Sequence, residues 1–181
     1  TRPIKLISGT SHFCQTFFFF FLVPGGNVVG GRGKGWGITK HLLQHERSAI
    51  AGMMGGSKDP RSPSQHARES CALAGRPALR EAIIQAELDS WALVAWMERI
   101  ADEARAGLFN PAVPSGLKVF GAELSKRRAE ALLALEGLDG LKADSAAAFN
   151  WLQWPTGTIG GGTTEIQLNI IARRGLGLPE R

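Results

Sequence analysis

Three consecutive glycines, Gly160-Gly161-Gly162, run directly into Thr163-Thr164-Glu165-Ile166-Gln167-Leu168-Asn169-Ile170-Ile171-Ala172-Arg173-Arg174, and this stretch constrains the chain most. Glycine carries no Cβ, so the backbone here can take positive φ and lie close to other backbone or to a ligand. Thr164 and Gln167 stand three apart, the spacing of a capping box, which predicts a helix starting just after the glycines. The first turn of such a helix carries unpaired N–H groups and the positive end of the helix dipole. From spacing alone two readings are open: a ligand-binding turn, or a glycine-rich loop that caps a helix.

Upstream, apolar periodicity predicts a mainly α fold. Thr1 to Val23 reads as strand-like, with Ser8-Gly9-Thr10-Ser11 turning the chain before Phe13 to Val23. Pro24 to Gly37 is glycine-rich connection. From Trp36, Ile38, Leu42, Leu43, Ala49, Ile50 and Met53 recur at helical intervals up to a stop at Gly55-Gly56, and Pro60 and Pro63 mark Ser57 to Ser64 as a loop. The longest predicted helix runs from Pro77 to Ala106, with Leu79, Ile83, Ala86, Leu93, Met97 and Ile100 as its core stripe. Trp91, Val94 and Trp96 widen that stripe and make a subunit interface the natural use of its second side. After Asn110-Pro111 a helix follows from Ser115 to about Leu135, carried by Leu117, Phe120, Leu124, Ala131 and Leu135 and ended by Gly137 and Gly140. A shorter helix is expected from Ala143 to Trp151. The sum is a bundle of four or five helices attached to the end of a β-sheet, with residues 1–30 as the sheet remnant and 31–181 as the helical domain.

Composition removes several function classes. The net charge is +5, but the 21 Lys and Arg are scattered and do not interleave with aromatics as a nucleic-acid surface requires. They read as a solvated basic face, or as attraction for a phosphate-bearing ligand, with Gly31-Arg32-Gly33-Lys34-Gly35 as linker or as a contact for such phosphates. Phe17 to Val23 is far shorter than the roughly twenty residues that span a bilayer, so no membrane segment is expected. His41 and His45 are four apart without a third ligand, and Cys14 and Cys71 form no metal-site or disulfide pattern, so no metal is expected and a reduced, cytoplasmic compartment fits.

The wording GGGTTEIQLNIIARRGLGLP resembles the C-terminal signature of the acyl-CoA dehydrogenase family. Two further blocks fall in family order. Phe17-Phe18, Val23-Pro24, Asn27, Val29-Gly30, Gly35-Trp36 and Glu46-Arg47 resemble the passage from the middle β-domain into the C-terminal helical domain, and Lys118-Val119-Phe120-Gly121-Ala122-Glu123-Leu124-Ser125 resembles a helix of that domain. The resemblance implies a C-terminal helical bundle preceded by the last strands of the β-domain. It implies an oxidoreductase of fatty acid metabolism that uses FAD, acts on an acyl-CoA thioester, passes electrons to an electron-transfer flavoprotein and assembles as a homotetramer or hetero-oligomer, a dimer of dimers. A family member needs about twice this length, so the chain is expected to be a fragment, inactive by itself.

The implied reaction is α,β-dehydrogenation: a carboxylate removes the α-proton while the β-hydrogen leaves as hydride to the flavin. Many members carry that carboxylate where this chain has Gly161, and glycine cannot abstract a proton. In the long-chain and isovaleryl-type members the base lies earlier, in a Glu-Arg pair that Glu46-Arg47 matches. Glu46 is therefore either the base or a salt-bridge partner of Arg47. Thr163 and Glu165 match positions that contact FAD in the family, and the backbone of Gly160, Gly161 and Gly162 lets flavin and substrate approach. Two other flavin passages have no counterpart after Met53 or at Leu135 to Gly140. The alternative function is a non-catalytic structural subunit or remnant of a hetero-oligomeric acyl-CoA dehydrogenase.

Overall fold

The computed structural model describes residues 1–43, 62–70, 73–108, 110 and 112–179. Strand β1 (Arg2–Ile4) pairs antiparallel with β2 (Phe13–Gln15), Arg2 opposite Gln15 and Ile4 opposite Phe13. The turn between them uses Gly9 at φ +84°, with Gly9 N donating to Leu6 O. Pairing stops at Gln15, although the sequence predicts strand as far as Val23. An extended segment needs a neighbouring strand for its backbone groups, and the described residues offer Phe17 to Val23 none. The phenylalanines instead stack on one another, Phe17 on Phe19 at 5.9 Å between centroids, and remain exposed.

Helix α1 covers described residues 35–43. Its Ile38 seats against Gly30, whose φ of +73° and missing Cβ leave the space. The rest of the helix expected from Trp36, its stop at Gly55-Gly56 and the pair Glu46-Arg47 lie outside the described residues. Helix α2 (Pro63–Ser70) occupies sequence read in part as loop. Pro63 starts it, and a capping box forms at Ser62 and Gln65: Gln65 N donates to Ser62 Oγ and Ser62 N to Gln65 Oε1.

The remaining helices fall close to expectation. They are α3 (Pro77–Arg105), α4 (Val113–Glu136), α5 (Ala146–Gln153) and α6 (Thr164–Ile170), with a 3-10 turn over Trp154–Thr158 and a wide turn over Ile171–Gly175. Ser145 caps α5 by accepting from the amides of Ala147 and Ala148. The structure is mainly helical, with the small β-hairpin at its start.

Helix α4 is the centre of the bundle. α2, α3, α5, the 3-10 turn and α6 all pack on it, and it buries Ser115, Lys118, Gly121, Ala122, Leu124, Ala129, Ala131, Leu132 and Leu135. Its small residues allow the crowding. Trp96 of α3 lies so close to Gly116 that a Cβ there would stand 2.8 Å from the ring, and Trp96 meets Phe120 edge-on at 6.3 Å. The main cluster joins Ala67, Ile83, Ala131, Leu132, Leu135 and Ala147 from four helices.

Helix α3 is only half used. Ile83 and Ala86 are buried, but Ile84, Leu88, Trp91, Val94 and Met97 are exposed, Trp91 by 68%. The chain exposes 12849 Å², whereas a compact monomer of this mass exposes about 8,500 Å². Substituting Gly116→Val should drive a side chain into Trp96 and cost about 1–3 kcal/mol, read as a lower midpoint in thermal unfolding. Ile84→Ala, on the bare face, should change stability by no more than about 0.5 kcal/mol.

Candidate functional site

The turn between α5 and α6 is built from local hydrogen bonds and then tied down by two side chains, one from the following helix and one from far upstream. Trp154-Pro155 begin the 3-10 turn, and the amides of Ile159 and Gly160 both donate to Thr156 O, at 3.1 and 2.9 Å. Gly161 and Gly162 follow at φ +71° and +103°, conformations that L side chains rarely adopt. Gly162 N donates to Ile159 O at 3.2 Å, which closes the loop.

Thr163 caps α6, its hydroxyl accepting from Ile166 N at 3.4 Å. The capping box expected from Thr164 and Gln167 does not form. Gln167, with no exposed surface, sends its Nε2 back across the turn to Gly161 O at 2.8 Å. A Cβ on Gly162 would stand 2.6 Å from that nitrogen, so glycine is required both for φ and for space. Thr164 Oγ1 and Gln167 Oε1 are buried without a hydrogen-bond partner among the described residues.

From the other side comes Lys118 of α4. It is 3% exposed, and its Nζ donates to Thr158 O at 3.0 Å, across 40 positions of sequence. Burial pushes its pKa below the ordinary value of 10.5, against the raising effect of Glu165 and Glu123. The exposed Glu165 carboxyl is held below the ordinary carboxylate value, first by its own backbone amide, then by the Thr163 hydroxyl and by Lys118.

The structure thus brings Gly160, Gly161, Gly162, Thr163 and Glu165 together on one turn, while Glu46 lies outside the described residues. Two residues of the turn's support, Lys118 and Gln167, were not among the expected site residues. Lys118 had a signal: it shares a helix face with Gly121, Ala122 and Ser125 at three-, four- and seven-residue spacing, a small-residue face on which a long cation is out of place. Gln167 had none beyond its place in the motif, because the contact it makes runs against the predicted cap. Among the described residues no group of three or more His, Cys, Asp and Glu could hold a metal ion, and no helix is long and apolar enough to cross a membrane.

Gly162→Ala should cost about 1–3 kcal/mol through its strained φ, measured as a shift in chemical-denaturation midpoint. Lys118 adds a pH dependence with a definite sign. Its folded pKa lies below its unfolded value, so the unfolded chain binds the proton more tightly and stability rises with pH through the window that ends near 10.5. As pH rises toward 10.5, the melting temperature of the wild type should therefore shift in its favour relative to Lys118→Met.

The family model described as "Acyl-CoA dehydrogenase, C-terminal domain" matches residues 33–176. Among curated relatives, acyl-CoA dehydrogenase IpdE1 of Mycolicibacterium smegmatis is 30% identical, over 98% of this chain and 45% of its own length. Acyl-CoA dehydrogenase FadE34 of Mycobacterium tuberculosis is 31% identical, over 98% of this chain and 24% of its own. The chain spans less than half the length of the curated relatives it matches. The fold is shared with a Tcur3481-Tcur3483 steroid ACAD (TM-score 0.78, 22% identity, covering 99% of this chain and 48% of that one). It is shared also with a chain of the ChsE4-ChsE5 complex from Mycobacterium tuberculosis (TM-score 0.65, 23% identity, 88% and 45% covered). With its bundle, its glycine turn and a family match over most of its length, this chain belongs to the acyl-CoA dehydrogenase family, whose C-terminal domain it carries.

Proposed function

We propose that the chain is the C-terminal part of an FAD-dependent acyl-CoA dehydrogenase that oxidises the Cα–Cβ bond of an acyl-CoA thioester, residues 1–30 closing its β-domain and 31–181 forming its helical domain. The observation that carries this reading is the shape of the turn at Gly160 to Gly162, on a chain that matches the family's C-terminal domain. FAD, when bound, supplies the electron sink. The residues present fit such a group: Gly161 and Gly162 present backbone without side chains, Glu165 is exposed beside them, and the Thr164 hydroxyl has no partner among the described residues. The backbone of Gly160 to Gly162, with Thr163 and Glu165, would hold the flavin.

Glu46 is the base in this proposal. Glycine at position 161 has no group that takes a proton, and a glutamate placed against an apolar acyl chain gains basicity as burial raises its pKa. Electron-transfer flavoprotein as acceptor, assembly as a dimer of dimers and a cytoplasmic setting complete the reading. The bare apolar face of α3, with Trp91, Val94 and Met97, supports assembly with further protein.

A second reading is favoured by two observations. Gly161 stands where many members of the family carry their carboxylate, and one protein of the same fold is described as the ChsE4-ChsE5 complex. In that reading the chain belongs to a non-catalytic subunit that completes a partner's site.

The two readings separate in the native full-length protein. Catalysis by this chain predicts stoichiometric flavin absorbance and a fall of about 10²–10⁴-fold in kcat for Glu46→Gln with flavin retained. Full activity in Glu46→Gln would remove Glu46 as the base, and absence of flavin unless a partner is co-expressed would favour the second reading. The thioester panel should include a steroid-bearing acyl group alongside straight chains, since one protein of this fold is described as a steroid ACAD.

A further inference from the structure

Three glycines in a row make the turn the part of the chain with most backbone freedom to lose, so its single shape has to be enforced from outside. Within the turn itself the bonds are short-range: Ile159 and Gly160 to Thr156 O, Gly162 to Ile159 O. Two longer ties flank them. Gln167 holds the outgoing limb at Gly161 O, and Lys118 holds the incoming limb at Thr158 O.

Lys118 is the unexpected one. A buried ammonium is costly, and replacing buried charge by an apolar side chain of similar volume is often neutral or stabilising. Packing alone would be served by methionine at this position, on a face otherwise made of Gly121, Ala122 and Ser125. The bond that lysine makes and methionine cannot is the one to Thr158 O, two positions before the first of the three glycines.

We propose that Lys118 is a positioning residue, a lock from α4 that fixes the limb entering the glycine turn and so sets how well the turn receives the flavin. The flavin part of this statement rests on the function proposed above; the lock itself concerns backbone and does not.

The test uses the native full-length protein as wild type, Lys118→Met and the control Lys126→Met, which alters a partly exposed lysine on the same helix. Hydrogen exchange is followed residue by residue, with and without added FAD. The lock predicts that the amides of Ile159, Gly160 and Gly162 exchange roughly tenfold faster or more in Lys118→Met, while those of Leu132 and Leu135 keep their wild-type rates and the melting temperature of the flavin-free protein does not fall. FAD dissociation constants should rise about tenfold, equivalent to about 1.4 kcal/mol, and Lys126→Met should match wild type in every measurement.

Unchanged exchange at the three turn amides would overturn the lock. So would faster exchange spread evenly over α3 and α4, or failure of Lys118→Met to fold, since either makes Lys118 a residue of the core alone. Wild-type protein that binds no FAD would sink the proposed function, and the exchange rates of the turn would still decide the lock.

Discussion

The helical bundle depends on one helix being crowded on nearly all sides. α4 can be approached closely because much of its surface is Gly116, Gly121, Ala122, Ala129 and Ala131, whose small side chains or lack of one leave room for neighbours. The clearest instance is Gly116, against which the indole of Trp96 lies too close for any Cβ. Dispersion and desolvation both reward such contacts, and neither tolerates a side chain that does not fit. Because α5, the 3-10 turn and α6 also rest on α4, the position of the glycine turn follows from the packing of the core. Lys118 makes that dependence specific, a buried donor from the central helix to the backbone of the turn.

The same chain leaves much apolar surface bare. Trp91, Val94 and Met97 line one side of α3, and Phe17 to Val23 lie exposed after the hairpin. A helix whose apolar residues extend round two sides buries the second only against something else. The area exposed, half again what a compact monomer of this mass would show, agrees with a chain that spans less than half the length of its curated relatives.

Chemically, the turn offers backbone groups and a hydroxyl but no side chain at Gly160, Gly161 or Gly162 that can take a proton. Positive φ at Gly161 and Gly162, the Thr163 cap and the tie from Gln167 make a defined backbone surface with no acid or base pointing from its centre. Such a surface suits recognition of a planar or anionic group by backbone and hydroxyl. In the proposed reaction the proton is taken elsewhere, by Glu46 in one reading and by a second subunit in the other.

Helical periodicity and turn chemistry were legible in the residues alone. The span of α3 is correct to within a residue at its end, α4 begins two residues before and ends one after its predicted limits, and the family signature placed the glycine turn. These depend on local forces: side-chain spacing, proline at a helix start, glycine where φ turns positive. Where two local signals competed, the reading failed. Pro60 and Pro63 argued for a loop, yet Ser62 and Gln65 form the capping box that opens α2, and the box expected at Thr164 and Gln167 gave way to a bond with Gly161 O. The strand expected through Val23 ends at Gln15 because pairing needs a neighbour that sequence pattern cannot supply. What the sequence by itself determined was the family, the helices from α3 onward and the location of the turn. Only the tertiary structure decided which side of α3 is buried, that α4 is the centre and that Lys118 reaches the turn, since those facts arise from contacts between residues far apart in the chain, and it decided which of two nearby bonds Gln167 makes.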